Sequence, residues 1–116
     1  MVFWAVLAAL PLMTSVVYFR ASPAVTPLPR RVAASAHGFF IALLHLGTLY
    51  IAAAQLHGDQ YGTPFFVLCL IAAALIGYSF WAFRGRKQVH WLQAINVSWL
   101  FGLLFLGGMA VTGRWL

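Results

Sequence analysis

The sequence predicts an all-α integral membrane protein, a bundle of four transmembrane helices, on three observations. Of its 116 residues, 64% are apolar and only 7% are charged, which leaves too few polar side chains to cover a soluble domain of this size. The apolar residues form four runs, each close to the roughly 20 residues that a transmembrane helix needs. These runs are continuous and do not alternate with polar residues, a pattern that disfavours a transmembrane β-barrel.

The four predicted spans cover residues 1–19, 33–56, 64–83 and 91–112. The first run exceeds the apolar segment of a typical cleaved signal peptide and has no Lys or Arg before it, so we expect it to be retained. Pro11 predicts a kink within it, because proline lacks the amide that the helix needs. Residues 20–31 contain three prolines and are expected to form an extended connector. The other connectors are short, so residues 1–116 are expected to form one domain.

The basic residues predict the orientation, because Lys and Arg are retained on the cytoplasmic side of a membrane. The second connector lacks them and holds the only acidic residue, Asp59. We therefore expect a multi-pass protein of the bacterial inner (cytoplasmic) membrane with both termini on the outer side. Arg114 is the exception and is expected to be an interfacial anchor. The residues expected to contact anionic lipid headgroups lie in the first and third connectors: Arg20, Arg30, Arg31, Arg84, Arg86 and Lys87.

Polar side chains within the predicted spans are the candidate functional residues. His45 lies near the middle of the second span, and steps of three and four residues place it on one face with Thr48 and Gln55. Gln93 and Asn96 share a face of the fourth span. Because polar side chains are costly toward lipid, we expect these five residues to form an intramembrane polar cluster. The favoured role of His45 is a hydrogen bond to another span or to a backbone carbonyl, and a ligand, proton or haem role is the alternative.

A haem site is the cofactor alternative that the histidines raise. Axial ligation of a b-type haem requires two ligands at equal depth on facing helices, and the sequence offers His45 no second ligand at its depth. Only His37 and His90 match in depth, both at the predicted cytoplasmic boundary, which makes them the secondary candidates for cofactor binding. The sequence therefore predicts no cofactor and no metal site.

Small residues at four-residue spacing allow close approach of helix backbones in lipid. The sequence has three such ridges, each on a different predicted span. They are Ala34, Gly38 and Ala42 on the second span; Cys69, Ala73 and Gly77 on the third; and Ala94, Ser98 and Gly102 on the fourth.

These features favour a non-enzymatic packing partner, either an accessory subunit of a membrane complex or an immunity protein that inhibits a membrane-acting toxin. Catalysis is not expected, because the single acidic residue lies in a connector and no nucleophile motif is present. A small oligomeric transporter or channel with a polar path around His45 is the alternative. The packing features lead us to expect another membrane protein or a second copy as partner. The net charge of +6 is divided between connectors, so we expect no nucleic acid as partner.

The predicted orientation can be tested by labelling in intact cells. Tags at both termini should report the outer side, and a cysteine introduced at Gly85, beside Arg86, should resist a membrane-impermeant thiol reagent because the third connector faces the cytoplasm. A cysteine at Gln60 in the second connector is the control and should react. Labelling at Gly85 from outside would overturn the orientation.

Overall fold

The protein is described here by a computed structural model that covers residues 1–114; Trp115, beside the expected anchor Arg114, lies outside the described residues. The described chain is helical over 83% of its length and has no strands. Its long axis of 46 Å matches a bilayer with its headgroup regions, about 40–45 Å thick. Four helical stretches are long and apolar enough to cross a membrane, which confirms the predicted all-α architecture with four candidate transmembrane helices. These spans, numbered in chain order, are Val2–Ala21, Leu28–Ala53, Asp59–Ala82 and Lys87–Thr112.

The first span is broken into two helices, α1 (Val2–Leu7) and α2 (Ala9–Ala21). Pro11 has no amide and its ring crowds the carbonyl one turn earlier, so the expected kink lies at Ala8. There the Ala8 amide donates to the Ala5 carbonyl at 3.1 Å rather than to the carbonyl of Trp4. The break therefore frees the Trp4 carbonyl for a partner outside its own helix.

The second span is a single helix, α3 (Leu28–Ala53), and it begins earlier than predicted. The expectation of an extended connector over residues 20–31 was wrong, because only residues 22–27 separate α2 from α3. Pro27 precedes the helix and Pro29 lies in its first turn, where a missing amide breaks no helical hydrogen bond. At the other end, Gln55 adopts a left-handed backbone with φ of 55° just beyond the last helical residue, a common way to end a helix.

The third and fourth spans both begin with short 3-10 turns. Asp59–Tyr61 leads into α4 (Gly62–Ala82), and Lys87–Leu92 leads into α5 (Gln93–Gly102). The fourth span then widens into one π-helical turn, Leu103–Gly107, before ending as α6 (Gly108–Thr112). The Gly58 amide donates to the Val111 carbonyl at 2.8 Å, which joins the second connector to the end of the fourth span.

The second span is the centre of the bundle and packs most extensively against α2 and α4. Half of the residues in its most apolar 18-residue stretch are buried (50%), against 28% in the corresponding stretch of each other span. The ridge of Ala34, Gly38 and Ala42 is buried in this bundle. A Cβ on Gly38 would lie 1.8 Å from the Pro11 carbonyl oxygen and 2.5 Å from Thr14 Oγ1. The first two spans therefore touch backbone to backbone.

The apolar core has two parts. The smaller part consists of Tyr18, Ala34, Phe83 and Leu92, and it lies toward the first and third connectors. The larger part occupies the rest of the bundle and is formed by Ile41, Leu44, Phe65, Cys69, Ala72, Ile76, Leu100, Leu103 and Val111.

Gly38→Ala should destabilise the bundle, because the added methyl would overlap the Pro11 carbonyl, a backbone atom that cannot rotate away. Overpacking of this kind costs about 1–3 kcal/mol, more than the roughly 1 kcal/mol that alanine gains over glycine in helix propensity. Gly77→Ala is the matched control, since nothing described lies within 4 Å of that Cβ position. Thermal unfolding in detergent should show a loss for Gly38→Ala and none for Gly77→Ala; equal stability would contradict the close approach.

Candidate functional site

A buried hydrogen-bonded network centres on Asn96 of α5. Its side-chain amide donates to His37 Nδ1 at 3.1 Å and to Gln93 Oε1 at 2.8 Å, and its Oδ1 lies 3.1 Å from the Thr14 hydroxyl. That hydroxyl also lies 2.7 Å from the Pro11 carbonyl, and its single proton serves one acceptor at a time. None of the four network side chains is more than 1% exposed, so the Asn96 amide satisfies polar groups that would otherwise be costly to bury.

The network extends to the third span through Gln93. Its amide nitrogen donates to Ser79 Oγ, and the Ser79 hydroxyl donates to the Ile76 carbonyl at 2.7 Å. Thr14, His37 and Ser79 belong to the first three spans, and Gln93 and Asn96 to the fourth. One network therefore joins all four spans.

His37 is the titratable member of the network, and one of its ring nitrogens is unused. When the Asn96 amide donates to Nδ1, the neutral imidazole carries its proton on Nε2. Nε2 is buried without a hydrogen-bond partner among residues 1–114. The ring packs edge-on against Tyr18, with centroids 4.7 Å apart. His37 is therefore held in position, and its Nε2–H is a buried donor without a described acceptor.

Tyr18 connects this region with the start of the fourth span. Its hydroxyl lies 3.5 Å from His90 Nδ1, a long contact at the limit for a hydrogen bond. The His90 ring also packs against Phe80, with centroids 4.9 Å apart. His90 is partly exposed, so aromatic rings lead from the buried network to the edge of the bundle.

The predicted cluster of five polar residues is divided in the structure. Gln93 and Asn96 lie together in the network, but His45 lies elsewhere and is only partly buried. Its Nε2 is 2.8 Å from the Trp4 carbonyl, the acceptor freed by the break in the first span, and its ring lies 5.9 Å from that of Trp99. His45 thus holds α1 against α3.

Thr48 and Gln55 also lie apart from the network. The Thr48 hydroxyl donates to the Leu44 carbonyl of its own helix at 2.9 Å. Gln55 lies beyond the end of α3 with an exposed side chain, because the helix ends at Ala53 rather than at residue 56. The depth of each residue depends on these ends: His37 lies nine residues after Leu28, about 14 Å along the helix, and not at its boundary.

The residues around His37 and His90 do not fit a haem held between them. Tyr18 packs against both rings, with centroid distances of 4.7 and 6.5 Å. Asn96 already binds Nδ1 of His37, and the His37 side chain is fully enclosed. Coordination there would require the side chains that enclose the imidazole to move.

Three residues of the site were not predicted: Thr14, Tyr18 and Ser79. Each is a polar residue within an otherwise apolar run of the first or third span. The signal that identifies His45, a polar side chain that is costly toward lipid, applies equally to them. Only the packing of the spans shows that they share one site.

Comparison of the chain with protein-family models, with curated proteins and with solved structures finds no match. The site is therefore interpreted from its own geometry.

The network predicts a ranking of stability losses. Hydrogen bonds between helices in membranes average about 0.6 kcal/mol, with a maximum near 1.7. Asn96→Leu should reach or exceed that maximum, because it removes the donor to His37 Nδ1 and Gln93 Oε1 and the acceptor beside the Thr14 hydroxyl. His45→Leu should lose about the average, since one bond to the Trp4 carbonyl disappears, whereas His45→Gln retains an amide donor. Ser98→Ala on the same helix as Asn96 is the control, because Ser98 is exposed. Thermal unfolding in detergent measures the order, and a loss for Ser98→Ala as large as for Asn96→Leu would contradict it.

Proposed function

We propose that the protein is a non-enzymatic helix-packing partner within a membrane. It acts either as an accessory subunit of a membrane complex or as an immunity protein that binds a membrane-acting toxin in the bilayer. The proposed location is the bacterial inner (cytoplasmic) membrane, with both termini outside. The observation that carries the proposal is that the small-residue ridge of the fourth span, and two of the three residues of the ridge on the third, are exposed.

The exposed ridges lie on the third and fourth spans. Ala73 and Gly77 are exposed on α4 although Cys69 is buried, and Ala94, Ser98 and Gly102 are all exposed on α5. Nothing described lies within 4 Å of a Cβ built on Gly77 or Gly102. Small residues at this spacing allow another helix to approach closely in lipid. A close backbone contact of the kind that Gly38 makes inside the bundle is thus possible between these exposed ridges and a partner helix.

The polar chemistry of the bundle is consistent with this role. Buried side chains such as Asn96 and Gln93 are hydrogen-bonded to other side chains of the bundle, and no span contains a carboxylate except for Asp59 at the start of the third. Asp59 Oδ2 is paired with Arg114 at 2.7 Å in an exposed contact. Buried polar side chains that are hydrogen-bonded within the bundle, with no carboxylate inside it, suit a protein that packs against another helix and does not catalyse.

A small oligomeric transporter or channel is the second candidate, and the unused nitrogen of His37 favours it. An ionisable side chain held inside a membrane bundle often marks a path for protons or solutes. In that case the path would run by His37, Tyr18 and His90 rather than by His45. A chain of four helices encloses little space, so several copies would be needed.

Bulky substitutions on the ridges test the packing role. Gly77→Leu and Gly102→Leu should leave the fold intact, because each side chain enters open space, but they should keep a partner helix at a distance. We expect loss of the copurifying membrane protein, or dissociation of a homo-oligomer, in mild detergent. Weakening of association by about tenfold corresponds to about 1.4 kcal/mol. Size-exclusion chromatography with mass analysis of bound proteins gives the measurement.

Gly47→Leu is the matched control, because Gly47 is also open but lies on a different face, in an apolar groove of about 280 Å³ between α3 and α4. Assembly should survive there. Loss of assembly in Gly47→Leu alone would move the partner to the groove, and survival in both ridge variants would remove the basis of the packing proposal and favour the transporter.

A further inference from the structure

A basic cleft lies at the end of the bundle where the first and third connectors meet. It has a volume of about 320 Å³, at the lower end of the range for small-ligand pockets. Arg30, from the start of α3, and Arg86, from the third connector, both line it, together with Thr26, Phe83 and Gly85. Two arginines far apart in the sequence are thus brought to one cavity.

The basic residues of this end differ in what they contact. Arg31 is used inside the bundle: its Nε donates to Ser22 Oγ at 2.7 Å, and its Nη2 lies 3.3 Å from the Phe19 carbonyl at the end of α2. Arg30 lies over the ring of Trp81, 5.0 Å from its centroid, which positions the guanidinium without neutralising it. Its charge remains available to a ligand, in contrast to the donors of Arg31.

No carboxylate side chain of the chain can neutralise the cleft. The only acidic residue is Asp59, which lies beyond the opposite end of α3 and is paired with Arg114. Two arginines that line one cavity bring like charges together, so an anion between them lowers the energy of both. The first turn of α3 begins beside the cleft, and the positive end of its helix dipole also favours negative charge.

We propose that this cleft is a binding site for a phosphate group, supplied by an anionic phospholipid headgroup, with Arg30 and Arg86 as its ligands. Arginine presents paired N–H donors that match phosphate oxygens, and the Thr26 hydroxyl adds a neutral donor. The cleft lies at the level of Trp81, an exposed aromatic residue of the kind found at membrane interfaces, where headgroup phosphates are located. The sequence treats six basic residues alike, whereas the structure singles out two. This site does not depend on the packing role proposed above.

The test counts lipids bound to the full chain. The protein in mild detergent is titrated with phosphatidylglycerol or with phosphatidylcholine, and bound lipid is measured by native mass spectrometry. The wild type should retain phosphatidylglycerol and bind phosphatidylcholine more weakly, since the choline cation is repelled by the arginines. The double variant Arg30→Gln, Arg86→Gln should bind phosphatidylglycerol at least tenfold more weakly.

The double variant Arg20→Gln, Arg84→Gln is the control, because it removes the same charge from exposed residues that do not line the cleft. Equal weakening in the two double variants would overturn the site and leave only general attraction to charge. Arg86→Gln alone, which leaves the Arg30–Trp81 contact in place, should also weaken binding if the double variant folds poorly. Tighter binding of glycerol phosphate than of phosphatidylglycerol by the wild type, lost in the cleft variant, would keep the phosphate site but overturn the lipid as its source.

Discussion

The contact between the backbones of the first two spans at Gly38 is the constraint on which the rest of the structure depends. A side chain at that position would meet the Pro11 carbonyl, Thr14 and Ser15 at distances of 2.8 Å or less. Because nothing larger than hydrogen lies there, α2 approaches α3 closely enough for the Ser15 hydroxyl to accept a hydrogen bond from the Phe39 amide at 2.8 Å. The polar side chains of the first span are thereby placed within the bundle rather than toward lipid.

The hydrogen-bonded network follows from that approach. Thr14 and His37 lie on either side of the contact, and Asn96 from the fourth span reaches both. Gln93, one turn earlier on the same helix, extends the connection to the third span. In a bilayer there is little hydrophobic force between helices, so tight packing and hydrogen bonds hold them together. A glycine and an asparagine, one providing space and the other providing bonds, therefore organise the four spans.

The elements were predictable from the sequence to a greater extent than the site. Long apolar runs report helices directly, because lipid requires every backbone group to be satisfied within a helix. Depth is less certain, because it is counted from helix ends. Pro29 suggests a break in the helix but lies in the first turn of α3, so the helix begins earlier than predicted. His37 therefore lies within the helix and not at its expected boundary. Which face of a helix points inward depends on the neighbouring spans, and the sequence does not show their arrangement. Gln93 and Asn96 were predicted as site residues, whereas the inward position of Thr14, Tyr18 and Ser79 is shown only by the packed structure.

The break at Ala8 separates α1, which has little protein around it, from the rest of the first span. Helix α1 has no buried residue, and the carbonyl of Trp4 that accepts from His45 is its one side-chain hydrogen bond to the described bundle. Within a membrane this segment would contact mainly lipid, whereas α2 is partly covered by the other helices. A span longer than the hydrocarbon layer can tilt or kink to match it, and the break at Ala8 would let α1 adjust separately from α2. In a thinner membrane α1 would lean about the His45 contact, while the network beneath it kept its geometry.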